Sequence, residues 1–240
     1  MSFHPDKCSV LQVTTKKTPL PYDYILHGHT LQQETSTKYL GLTIQTDLKF
    51  NKHINNITAN ATKQLNFIKR NLKVSSQSVK EKAYISLVRP KLEYGSCIWD
   101  PHTKSQKSQI EMVQRRAARY ICNRYHNTSS VTNMLNHLNW PTLEIRRIRT
   151  RLIFFFKIIH HQVAIYPTNL LIPSDSRTRQ YTHSHSFRHI QAKKDSYKFS
   201  FYHRTIVQWN LLPVTAVQCT TVEEFREQIP ISVLNQYYIM

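Results

Sequence analysis

Arg115, Arg116 and Arg119 fall within five positions of the segment IEMVQRRAARYI (Ile110–Ile121), and Arg146, Arg147, Arg149 and Arg151 crowd a second one, EIRRIRTR. Lys69 and Arg70 make a smaller pair upstream. Guanidinium forks match phosphate oxygens two at a time, and lysines add point charge. The chemistry on offer is therefore the holding of a polyanion. Lys and Arg number 33 against 14 Asp and Glu, for a formal net charge of +19. The surplus is uneven. Residues 51–160 hold twenty cations against five acids, net +15, whereas residues 1–50 carry net +1 and 161–240 net +3. A nucleic-acid backbone is the partner that such a block fits. An anionic membrane surface is the other polyanion, but the most apolar run, LIFFFKII (Leu152–Ile159), is far short of the ~20 residues of a spanning helix.

Residues that make or break bonds are poorly represented. Two-metal polymerases and nucleases need paired carboxylates. The six aspartates (Asp6, Asp23, Asp47, Asp100, Asp175, Asp195) are all isolated, and the adjacent pair Glu223-Glu224 lies where a helix start favours acids anyway. His183, His185 and His189, with His203 or Cys219, are metal-ligand types without zinc-like spacing. No G-x-S-x-G frames a nucleophile. With three glycines there is neither GxGxxG nor GxxxxGK[ST]. Cys8, Cys97, Cys122 and Cys219 form no CxxC, so buried free thiols in a reducing compartment are expected. No residue is assigned a catalytic or metal-binding role. The start shows no signal peptide, which places the chain inside the cell, in cytoplasm or nucleus.

The elements that must position these cations change along the chain. Residues 1–48 carry strand patterns: CSVLQVTT (Cys8–Thr15), two short arms around His27-Gly28-His29 that predict a hairpin, and KYLGLTI (Lys38–Ile44). Helical spacing follows, with Ile54, Ile57, Ala61, Leu65, Ile68 and Leu72 as one stripe. SVKE (Ser78–Glu81) predicts a capping box, with Val79, Ala83 and Leu87 inward and Pro90 as the stop. Trp99 is a predicted core anchor. In the opening segment Ile110, Val113, Ala117, Tyr120 and Ile121 share one side and the arginines the other. A short helix is expected over Ser129–Pro141, and a longer one after Thr142 with Ile145, Ile148, Leu152, Phe155, Phe156 and Ile159 inward. From Pro167 the chain is polar, basic and Ser/His-rich, with bulky residues returning over Phe201–Pro213 and a short helix expected over Thr221–Ile229. Tyr84, Tyr94, Tyr120 and Tyr125 are interleaved with the cations. Packing into the core is the favoured role for these tyrosines, and stacking on bases the other. The fold class is α+β, mostly α: short antiparallel N-terminal strands, a basic helical bundle and a less regular C-terminal extension, dividing at 1–48, 49–166 and 167–240.

As a set, FHPDKC (Phe3–Cys8), KYLGLTI, LKFNKHI (Leu48–Ile54), LVRPKLEYGSCIWDP (Leu87–Pro101), IEMVQRRAARYI, MLNHLNWPTLEIRR (Met134–Arg147) and RTIVQWNLLP (Arg204–Pro213) resemble blocks of the reverse transcriptases of non-LTR (LINE-like, jockey-type) retrotransposons. His4 stands where the family has Asn. The resemblance covers nearly the whole chain and implies the palm's tail, the thumb and a C-terminal extension. It also implies that the fingers, the rest of the palm, its aromatic-x-Asp-Asp motif and the Mg ions of the complete enzyme lie outside this chain. The N-terminal strands would then pair with and pack on that missing palm. Tyr39, Leu40 and Gly41 would match the primer-grip turn, and the helices from Asn51 to Ile121 the thumb that holds an RNA or RNA–DNA duplex by its phosphates.

Two function classes remain open on sequence. One is a catalytically incomplete fragment of an RNA-directed DNA polymerase that retains binding to template–primer without sequence preference. Its expected phosphate contacts are Lys69, Arg70, Arg115, Arg116, Arg119, Arg146, Arg147, Arg149 and Arg151. The alternative is a helical interaction or scaffold protein with no nucleic-acid role.

Overall fold

The computed structural model describes residues 3–14, 16–18, 20–126, 128–167, 170–174, 183–189, 191–192, 194–230 and 234. Among them the fold is α+β and mostly α. Thr15 of the first expected strand lies outside the described residues, as do 175–182, 190 and 193 of the polar stretch.

The N-terminal region is three small two-stranded pairings. β1 (Ser9–Leu11) pairs in parallel with β4 (Gln32–Glu34), where antiparallel strands were expected. β2 (Ile25–Leu26) and β3 (His29–Thr30) form the predicted hairpin, turning at His27 and Gly28 with φ of 49° and 80°. KYLGLTI is not one strand. It divides into β5 (Ser36–Tyr39) and β6 (Leu42–Gln45), joined at Leu40 and Gly41 with φ of 46° and 84°. Two consecutive left-handed residues match the twist of a two-residue hairpin, which is why the turn falls at the Leu-Gly step.

The last hairpin is fastened to the helices. Leu42 enters the core, and the Thr43 amide donates to His53 Nδ1 at 3.2 Å. That histidine sits on α1 (Asn51–Asn71), whose predicted stripe buries Ile54, Ala61, Leu65 and Ile68. α2 (Gln77–Leu87) departs from expectation. Ser76, two residues earlier than predicted, caps it by accepting from the Val79 amide. Tyr84 and Val88 are fully buried while Val79 and Leu87 are each 46% exposed. The Tyr84 hydroxyl donates to the buried Gln114 at 3.1 Å, and its ring stacks on Trp140; that polar anchor turns the helix away from its aliphatic side. Pro90 sits at the start of α3 (Arg89–Glu93), which ends the preceding helix as expected. α4 (Ser96–Trp99) delivers Trp99, 1% exposed.

α5 (Lys104–Ile121) buries the five apolar residues predicted for it. α6 (Val131–His137) and α7 (Leu143–Ile159) are capped by Ser130 and Thr142. α8 (Asp195–Lys198), α9 (Phe201–Trp209), α10 (Val214–Val217) and α11 (Val222–Gln228) follow, the last with a full capping box from Thr221 and Glu224. Buried apolar residues form two clusters that divide within α7. Leu143 belongs with α1–α6, whereas Ile145, Ile148, Leu152, Phe155 and Phe156 pack on α9–α11. The boundary drawn at residue 166 thus falls beyond the helix that the two clusters share. The four cysteines are free but half-buried, not fully buried.

Gly95 begins α4 at φ 64°, and a Cβ there would lie 2.9 Å from Leu42 Cδ2. Gly95→Ala is expected to lower stability by about 1–2 kcal/mol from the left-handed backbone alone, and further by pushing Leu42 off the bundle. The shift in the urea unfolding midpoint measures it.

Candidate nucleic-acid interface

The cations picked from sequence separate into two groups. Arg115 and Arg116 are exposed on α5, with Arg119 half-buried beside them. They stand at i, i+1 and i+4, so they share one outward arc of the helix. α1 packs along α5 and brings Lys69 to this face. Burial lowers the Lys69 ammonium below its ordinary value, and the nearby Arg116 adds to that. Lys69 and Lys80 lie over the Tyr120 ring, 5.8 and 5.1 Å from its centroid. The Tyr120 hydroxyl donates to the Leu72 carbonyl at 2.9 Å, which fixes the platform beneath them. Arg70 is exposed further along α1.

The α7 arginines differ. Arg147 and Arg151 are 2% and 1% exposed and both grip Asp100, the residue that ends α4. Arg147 Nε donates to Asp100 Oδ1 at 2.7 Å, and Arg151 donates to Oδ2 and to Gln208. Arg204 of α9 completes the cluster, donating to the Asp100 carbonyl at 2.7 Å and lying 3.0 Å from Oδ2. Burial alone would raise the Asp100 carboxyl, but Arg151, Arg147 and Arg204 outweigh it and hold the group below its ordinary value. Arg146 pairs with Glu93, and Arg149 donates to the Arg226 carbonyl at 2.8 Å. The expectation that Arg147 and Arg151 meet phosphate is corrected: they are internal ties. Arg146 and Arg149 are half-buried and already engaged. Helical periodicity could not separate these cases, because the partners lie 47 to 77 residues away.

Each of the five carboxylates of residues 51–160 is engaged with a partner. Glu81 accepts from Trp140 Nε1 at 3.0 Å, Glu93 holds Arg146, and Asp100 holds its three arginines. Glu111 accepts from the Leu143 amide at 2.9 Å, and Glu144 pairs with Lys107 at 2.5 Å. Among the described residues none of Arg115, Arg116, Arg119 and Lys69 is in an ion pair, although Glu111 lies one turn from Arg115 and feels its charge.

A second surface was not read from sequence. The Leu40-Gly41 turn borders a cleft of about 640 Å³ lined by His53, Lys63 and Phe67 of α1, Lys91 of α3 and Tyr94 at its end. Tyr94 Oη donates to the Leu40 carbonyl at 3.0 Å and so pins the turn to the helices. His53 accepts at Nδ1, and its buried Nε2 has no protein partner. Tyr39 and Leu40 are 63% and 72% exposed at the mouth. Lys63 and Phe67, four apart on α1, were the available signal. The tyrosines divide: Tyr84 and Tyr120 are buried, while Tyr94 and Tyr125 are exposed.

Among the described residues, no group of three or more His, Cys, Asp or Glu is placed to hold a metal ion. No helix of the described residues is long and apolar enough to cross a membrane.

No family model matches the chain, and no solved structure matches it. Over 107 residues, 43% of its length, the chain is 30% identical to the probable RNA-directed DNA polymerase from transposon BS of Drosophila melanogaster. The match spans 12% of that protein's length. Part of this chain is thus related to a reverse transcriptase.

Asp100→Asn is expected to cost about 3–5 kcal/mol, because it leaves buried guanidinium groups without their counter-charge. The folded carboxyl titrates below its unfolded value of 3.8. Its contribution is therefore complete above that pH and lost as pH falls through the lower folded value. Denaturant titrations across acid pH should show wild type losing this increment below about pH 4 while Asp100→Asn shows no such step. Replacing Arg115, Arg116 and Arg119 by Gln should each move stability by no more than about 0.5 kcal/mol.

Proposed function

We propose that the chain is a C-terminal portion of a non-LTR retrotransposon reverse transcriptase that binds template–primer duplex through phosphates and does not itself extend a strand. In this reading the helices between Asn51 and Ile121 serve as the thumb. The strands before them are the tail of the palm, and the fingers and remaining palm are the partners they would pack against.

The observation that carries the proposal is the shared outward arc of Arg115, Arg116 and Arg119 with Lys69 beside it, none of which forms an ion pair among the described residues. Contacts of this kind grip a backbone and carry no sequence preference. The relation over 107 residues to a transposon polymerase supports the origin. The cleft beside Leu40 and Gly41 adds a second basic surface, through Lys63 and Lys91, next to the turn that would hold a primer end. Arg70 belongs to the proposed surface by its exposure on α1.

Fluorescence anisotropy with a short RNA–DNA duplex tests this. Affinity should fall steeply with salt through counterion release. The triple variant Arg115→Gln, Arg116→Gln, Arg119→Gln should bind more weakly, its log–log salt slope reduced by roughly one unit per arginine lost. Undetectable binding at low salt, or an unchanged slope, would refute the assignment and favour a scaffold role. Primer extension by this chain should give no product above background.

A further inference from the structure

A separate cavity of about 700 Å³ opens between the start of α5 and the outer side of α9. Lys107, Lys198, Arg204, His102 and His203 contribute to its wall, and among the described residues that wall includes no carboxylate. Glu144 is paired with Lys107. Beneath lies the buried Asp100 cluster, in which one carboxylate meets three guanidinium groups, a formal surplus of two positive charges. Arg204 belongs to both the cluster and the wall. Surplus charge in a low-dielectric floor focuses potential into the opening above it. His203 is 5% exposed, and its Nε2 has no hydrogen-bond partner.

The rest of the wall suits a flat apolar body. Val207 and Leu211 line it, four residues apart and 43% and 40% exposed. The His102 ring lies parallel on Phe199, with centroids 4.1 Å apart and planes inclined by 6°. His102 is itself exposed, so its outer face is open to a further ring. The volume falls in the range typical of small-molecule sites.

We infer that this cavity binds a nucleotide, its phosphate against Lys198 and Arg204 and its base along His102, Val207 and Leu211. The site does not involve the α1–α5 surface, and it stands or falls independently of the duplex-binding reading. Its ligand is defined by a terminal phosphate on a nucleoside, whether free or at the end of a strand.

The test is anisotropy of a fluorescent ATP analogue with the full chain, its Lys198→Glu and Val207→Asp variants, and Arg116→Gln as control. All three substitutions change exposed side chains. Saturable binding is expected, weakened about tenfold by each cavity substitution, through loss of a charge-assisted contact in Lys198→Glu and through a carboxylate set against the base and phosphate in Val207→Asp, and unchanged by the control. No saturable binding, an unchanged Kd in both cavity variants, or equal weakening by the control would overturn the site. Competition separates the sources. Displacement by ATP but by neither of two otherwise identical oligonucleotides assigns a free nucleotide. Displacement also by the 5′-phosphorylated oligonucleotide, but not its 5′-hydroxyl form, assigns a strand end. Equal displacement by both oligonucleotides would mean that backbone phosphates suffice, and would overturn the assignment.

Discussion

The buried aspartate at the end of α4 holds the two halves of the molecule together. Trp99, its neighbour, belongs to the first apolar cluster, while Arg204 and Gln208 lie on the helix that builds the second. Arg147 and Arg151, four apart on α7, reach between them. Hydrophobic contact is non-directional and would let the clusters slide. A carboxylate that meets three planar forks, and whose own carbonyl takes one of them, fixes the orientation of three helices at once. Such a cluster adds little net stability over an apolar alternative but is costly to leave half made.

That cluster also explains why the fold was legible and the site only partly so. Stripes on α1, α5 and α7 report burial directly, because apolar residues at helical spacing have one place to go. Ser130, Thr142 and Thr221 cap by short-range chemistry, again visible locally. Charge is different. Arg115 and Arg151 look alike in sequence, yet one is exposed and the other is among the most buried side chains. The distinction rests on Asp100, which was noted only as an unpaired acid. α2 failed for a related reason: the Tyr84–Gln114 hydrogen bond and the Trp140 ring override its aliphatic spacing. The strand pattern of KYLGLTI hides the left-handed Leu40-Gly41 step, because leucine seldom adopts positive φ; only the family resemblance implied a turn there.

The N-terminal strands are built to a lower standard of closure than the helices. Three separate two-stranded pairings leave most ladder groups at an edge, and Tyr22, Ile25, Tyr39 and Leu40 are 64%, 67%, 63% and 72% exposed. The β5–β6 hairpin is tied to the bundle, through His53, Tyr94 and Leu42. The turn beside the basic cleft is thereby held in place while the strands before it keep their open edges.

The sharing of α7 between two cores has a consequence for biosynthesis. Its first residues complete a cluster made of chain already synthesised, but Phe155 and Phe156 face Trp209 and Phe225. Those partners leave the ribosome some 50–70 residues later, a delay of several seconds at ~5–20 residues per second. Throughout that interval the nascent chain displays an aromatic stripe on a helix whose other end is already docked. The window in which this protein most needs a chaperone is therefore set within a single helix, at the turn where its residues change core.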